Sequence, residues 1–213
     1  MQQKNKPIII DKKSTYIAPD VQFGKNVIIY SGNHIEAGTI IKDNVTLLPN
    51  NYIENSVIGR GSKIHASVIE QSHIEERCLI GPYSHLRSGA HLKNNVHVGN
   101  FCEIKNSTIG EGTKINHLAY VGDTDIGKNC NIGCGAIFVN YNGKIKARSL
   151  VADNCFIGSN VNIIAPVVLG EGTYVCAGTT LDTSTLADDF VIARPQPTIK
   201  HNYTKNFLDI KPC

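Results

Sequence analysis

Residues 74–104 read IEERCLIGPYSHLRSGAHLKNNVHVGNFCEI, and within them Ile74, Ile80, Leu86, Leu92, Val98 and Ile104 fall at every sixth position. A period of six is neither the 3.6 of an amphipathic helix nor the two of a half-buried strand. It fits a triangular coil of three short strands. Each side turns one aliphatic side chain inward, and successive coils stack as parallel sheets.

The beat extends in both directions. One residue is dropped before Ile109, Ile115 and Val121, and another before Ile126, Ile132 and Phe138. After an interruption it resumes as Val151, Ile157, Ile163, Leu169, Val175 and Leu181. Upstream it runs through Ile35, Ile41, Leu47 and Ile53, with Val21 and Val27 placed in the same series. Glycine often follows the aliphatic (Gly81, Gly99, Gly127, Gly133, Gly158, Gly170), as expected where a chain turns tightly. The fold class is therefore all-β, a parallel solenoid spanning about residues 15–193 in a single domain, 1–213. Residues 139–149 (VNYNGKIKARS) break the beat and read as a loop thrown out from the coil. From Arg194 onward, with Pro195, Pro197 and Pro212, the chain reads as a tail, 194–213.

Composition agrees with many short strands joined by tight turns. Trp is absent and Met occurs once, against 19 Gly. Lys and Arg number 21 against 18 Asp and Glu, so nothing suggests a nucleic-acid partner. No apolar run approaches a membrane span, and Met1–Lys6 is polar, so a cytoplasmic protein is expected. Of seven cysteines, Cys78, Cys102, Cys130 and Cys155 share one repeat position and read as small core residues, kept reduced.

Stacking converts sequence spacing into geometry, because residues one coil apart lie about 4.8 Å apart. Arg87 and Lys105 each follow an inward aliphatic on one side, which makes two cations neighbours. Such a pair is either a solvated surface pair or a clamp for a phosphate placed between the charges. A second column runs His117, Cys134, Ser159, Ala177, with Arg194 assigned to its end two residues after Ile192. Small residues between a histidine and an arginine leave a trench of about 19 Å. Small residues are also common at this repeat position. His85, His91 and His97, spaced by six, fall on three sides of a coil and so do not converge on one zinc ion within a chain, as a carbonic-anhydrase-type β-helix would require. No metal is expected.

Four stretches carry a resemblance: LRSGAHL (86–92), VHVGNFCEIKNSTIGEGTKINHLAYVGD (96–123), NIGCGAIFVNYNG (131–143) and FIGSNVNIIAPVVLGEGTYVCAGTTL (156–181). They closely resemble the acetyltransferase half of the bacterial bifunctional glucosamine-1-phosphate acetyltransferase/N-acetylglucosamine-1-phosphate uridylyltransferase, from roughly residue 8 to residue 201. The blocks NHLAYVGD and NYNG are far more specific than the repeat. The resemblance implies a left-handed coil, an exception to the right-handed rule for parallel crossovers. It implies acetyl transfer from acetyl-CoA to the amine of glucosamine 1-phosphate, with His117 as general base and Glu103 supporting it. It gives Arg87, Lys105, Tyr120, Asn131, Asn140 and Lys146 to the sugar phosphate. Cys134, Ser159, Ala177 and Arg194 fall to acetyl-CoA, and a backbone N–H near Cys134 becomes the candidate for stabilising the oxyanion.

The resemblance also implies a homotrimer with shared active sites and a place in UDP-N-acetylglucosamine and cell-wall precursor synthesis. No GxGxxR-like stretch occurs, so uridylyltransfer is expected to fall to a separate uridylyltransferase. Cys134 stands where the family has alanine, and RPQP (194–197) replaces a pattern with proline one place later. The other readings are an acetyltransferase for a different amino-sugar phosphate or nucleotide sugar, and a non-catalytic scaffold.

Overall fold

The structure, a computed structural model, describes residues 5–206. Its strands are two to four residues long and form three parallel sheets of 11, 10 and 9 strands. Within each sheet, hydrogen-bonded neighbours are three strands apart in sequence, so every coil adds one strand to each face. The result is a β-solenoid of about ten turns. It begins at the strand Ile8–Ile9, ahead of residue 15, and its last strand is Phe190–Val191. No helix of the described residues is long and apolar enough to cross a membrane.

The inward series from Ile74 to Leu181 is buried. Ile58, Ile64 and Ile69 complete it where the spacing shortens to five and hides the period. Val21 and Val27 are buried but belong to a second inward position, two residues before the aliphatic, because Phe23 and Ile29 hold the strand positions that pair with Ile41 and Leu47. Cys78, Cys102, Cys130 and Cys155 occupy that second position and are buried. Two side chains per coil side thus fill the interior.

The glycines after the aliphatics serve a different purpose from the one spacing suggested. Most of them have ordinary φ; what matters is close approach between coils. A Cβ on Gly99 would lie 2.0 Å from the carbonyl oxygen of Asn116, and one on Gly133 would lie 2.5 Å from the carbonyl carbon of Gly158. The left-handed turn sits two residues later and is held most often by asparagine, as at Asn95, Asn129 and Asn160, or by glycine, as at Gly112, Gly135 and Gly172. Asparagine tolerates that region better than other side chains do, which explains its abundance.

The loop occupies 140–148, one residue shorter at each end than expected, between the strands Ile137–Val139 and Ser149–Val151. A bridge from Tyr141 to Lys146 folds it back on itself. Beyond Val191 the chain is exposed and without strands up to a 3-10 turn at Tyr203–Asn206. The expected tail residues 207–213 and the polar residues 1–4 lie outside the described residues.

Burial pushes the imidazole of His97 below its ordinary value, and Lys114 and His117 add to this. Burial does the same to His73, beside His91. The unfolded chain therefore takes up protons at these sites at higher pH than the folded one. Stability is complete above the unfolded pKa, about 6.5, and declines as pH falls below it. The melting temperature should drop between about pH 7.5 and 5.5, and the drop should be shallower in the His73→Gln, His97→Gln double variant. An identical slope in that variant would assign the acid loss to other groups.

Candidate functional site

The strand His85–Arg87 pairs in register with Glu103–Lys105, which pairs with Tyr120–Gly122. Arg87, Lys105 and Gly122 therefore form one outward column, and His85, Glu103 and Tyr120 the next. Gly122 leaves space that the others fill. A Cβ there would lie 2.5 Å from the Tyr120 hydroxyl and 2.8 Å from Asn140 Nδ2. That places Tyr120 and the first residue of the loop directly after the cationic pair.

The two cations already have protein counter-charges. Arg87 Nη1 donates to Glu103 Oε1 at 2.7 Å, and Lys105 Nζ lies 3.8 Å from Asp123 Oδ2. Their stacking alone thus demands no phosphate, and the two readings that spacing left open both remain compatible with it. Arg87 keeps N–H groups beyond the one on Glu103, and Lys105 keeps its ammonium protons, so both retain donors for an anion.

His117 ends the strand Lys114–His117 at the corner between two sheets, and its side chain is exposed. Its Nδ1 lies 2.8 Å from Asn100 Oδ1. A carbonyl oxygen only accepts, so Nδ1 carries the proton and Nε2 presents a lone pair outward. Asn100 pairs with His117 one coil earlier. Glu103 Oε1 accepts from Arg87, and the side-chain partner of His117 is Asn100. Asn100 was detectable in the sequence: the corner column extends one coil back from His117.

Asn131 lies outward on the neighbouring sheet, between Lys114 and Phe156. It and Tyr120 flank the corner that His117 occupies. Lys146, exposed on the loop, contributes its charge to Asp123. Cys134, Ser159 and Ala177 follow His117 up the corner, each two residues after a register-matched aliphatic (Ile132, Ile157, Val175). Among the described residues their backbone N–H groups make no hydrogen bond.

Arg194 departs from its assigned place. Val191, not Ile192, pairs with Val175, so Ala193 completes the column and Arg194 lies one residue beyond. Ile192 is exposed, because the final coil contains one residue less than the spacing suggested. The Arg194 side chain still lies against Gly178, whose Cβ would sit 3.8 Å from its Cγ. His117 and the Arg194 stem thus bracket about four coil spacings, or ~19 Å.

His85, His91 and His97 lie on three different sheets. No group of three or more His, Cys, Asp or Glu among the described residues is placed to hold a metal ion.

The fold is that of the left-handed β-helix acyltransferases. A family model, the bacterial transferase hexapeptide (six repeats), matches residues 71–106 and 148–183. The solved UDP-N-acetylglucosamine acyltransferase of Arabidopsis shares this fold with a TM-score of 0.55, over 84% of this chain and 69% of its own, at 16% identity. The particular relatives are bifunctional proteins named GlmU. That of Caldicellulosiruptor saccharolyticus is 49% identical over 92% of this chain, and that of Clostridioides difficile 45% identical over 92%. That of Clostridium novyi is 42% identical over 90%. The chain spans less than half of these relatives, 42%, 43% and 42% of their lengths respectively. This chain matches the C-terminal, acetyltransferase half of GlmU.

Cys134 is half-exposed, whereas Cys78, Cys102, Cys130, Cys155 and Cys176 are buried. Burial pushes the Cys78 thiol up to about 11. Iodoacetamide should therefore modify Cys134 at least about tenfold faster than these five, as read by peptide mass spectrometry. Comparable labelling of Cys78 and Cys134 would contradict the placement of the corner column.

Proposed function

We propose that this chain transfers the acetyl group of acetyl-CoA to the amine of glucosamine 1-phosphate, giving N-acetylglucosamine 1-phosphate and free CoA, in the cytoplasm. The observation that carries the reading is the position of His117. Its Nε2 stands at the head of a column of small residues, at one edge of the sheet face that begins with Tyr120 and carries Arg87, Lys105 and, past its end, Asn140 toward the other edge.

His117 Nε2 takes a proton from the sugar amine as its nitrogen attacks the thioester carbonyl. The C–N bond forms, the C–S bond breaks, and the proton held on the imidazole passes to the departing CoA sulfur. The free N–H of Cys134 is the donor for the oxyanion that develops on the carbonyl oxygen. Arg87 and Lys105 hold the phosphate, and Glu103 orients the Arg87 guanidinium. Tyr120, Asn131, Asn140 and Lys146 contact the sugar and its phosphate. The pantetheine arm lies along Cys134, Ser159 and Ala177 toward Arg194, which meets the phosphates of CoA.

The active protein is a homotrimer in this reading, with the cleft completed by a neighbouring subunit. The exposed aromatic ladder Phe156, Tyr174 and Phe190, with ring centroids 4.6 and 5.3 Å apart, offers an apolar face beside the corner column.

His117→Ala should lower kcat by about 10²-fold or more with the fold intact by circular dichroism. Full turnover in that variant would falsify the assignment of the base. Arg87→Ala should raise KM for glucosamine 1-phosphate by about tenfold or more, through loss of a charge-assisted contact, and change KM for acetyl-CoA little. An equal rise for both substrates would remove Arg87 from the phosphate site. Galactosamine 1-phosphate, assayed in parallel, tests the competing reading of a different amino-sugar phosphate as the acceptor.

A further inference from the structure

Asp123 lies just past the strand Tyr120–Gly122, in the left-handed region at φ 47°, and its side chain is only 9% exposed. Its Oδ1 accepts from Asn106 Nδ2 at 2.5 Å, and its Oδ2 accepts from Asn140 Nδ2 with Lys105 Nζ 3.8 Å away. Its backbone is engaged as well: the N–H donates to the Lys105 carbonyl at 3.0 Å, and the carbonyl accepts from the Ser149 N–H at 3.2 Å. Asn140 begins the loop and Ser149 follows its last residue. Both feet of the loop are therefore fastened to this one residue.

We infer that Asp123 is a positioning residue that fixes the Asn140 amide so that its carbonyl oxygen faces the amine of the bound sugar. This rests on the acetyl-transfer reading above. Burial alone would raise the Asp123 carboxyl, but hydrogen bonds from Asn106 and Asn140 and the charges of Lys105 and Lys146 outweigh it and hold it below the usual carboxylate range. The group is thus ionised at neutral pH, and a carboxylate only accepts. Asn140 must present its NH₂ to it, which turns Oδ1 the other way. Among the described residues nothing donates to that Oδ1, and it is not sealed from solvent. That carbonyl oxygen is left to accept an N–H of the sugar amine, and it would accept the O–H of the hydroxyl analogue equally.

The test compares glucosamine 1-phosphate as substrate with glucose 1-phosphate as competitor, in wild type and in Asp123→Asn. The variant removes one acceptor oxygen and one negative charge while keeping the shape. KM for glucosamine 1-phosphate should rise about tenfold, because the Asn140 amide loses its fixed orientation. Inhibition by glucose 1-phosphate, whose hydroxyl at that carbon also donates to Oδ1, should weaken in step, while KM for acetyl-CoA should stay within about twofold. Combining Asp123→Asn with Asn140→Asp restores the bond with donor and acceptor exchanged, and should return KM to within about threefold of wild type.

An unchanged KM in Asp123→Asn, or a parallel weakening of all three ligands, would overturn the assignment. So would a loss of folding that the exchange does not recover, which would make Asp123 purely structural. Absence of acetyl transfer by the wild-type protein would instead strike the underlying reading, so the two failures are distinguishable.

Discussion

Each coil of this protein is held by the coils on either side of it, through parallel backbone hydrogen bonds and the aliphatic stack they enclose. A side chain's neighbours are set by the register of those bonds. Leu86 over Ile104 over Val121 places Arg87 beside Lys105 and leaves Gly122 next in line. A one-residue slip would turn the inward aliphatics out and bring charged side chains into a core that has no partners for them. The same stack that stabilises the solenoid therefore aligns the candidate site. Nothing in the site requires a long loop to be placed from a distance, apart from the one at 140–148, and that loop is tied down at both ends by Asp123.

The electrostatics of this face follow the same logic. Each cation lies near a carboxylate drawn from the adjacent coil: Arg87 with Glu103 and Lys105 with Asp123. The pairing permits two like charges to stand one coil apart without ligand. It also keeps the long side chains from wandering, so that their remaining N–H groups stay directed outward. Bonds of this kind contribute little to stability at an exposed position. Their value here is orientation.

Much of this was legible in the sequence because a period of six admits few other geometries. The inward aliphatics, the buried cysteines, the column from His117 to Ala177 and the loop could be located by counting alone. Counting failed where the coil length changed. The shortened spacings around Ile58, Ile64 and Ile69 hid a stretch of core, and the shortened last coil displaced Arg194 by one position. It also failed where side chains choose among partners. Glu103 lies one coil from both Arg87 and Tyr120, and spacing cannot say that it turns to Arg87 rather than to His117. Asn100 and Asp123 went unnoticed for a related reason. Neither is unusual as a residue type at a corner, and each acquires its role only through the neighbour that stacking supplies.

The claim at the centre is that one sheet face and the corner at its edge bind phosphate, amine and thioester together. A crystal structure with glucosamine 1-phosphate and coenzyme A bound tests it most directly. The account predicts the phosphate between Arg87 and Lys105, the amine nitrogen about 3 Å from His117 Nε2, and the pantetheine arm along Cys134, Ser159 and Ala177. A sugar phosphate seated on another face, with His117 out of reach of its amine even across a subunit boundary, would contradict it.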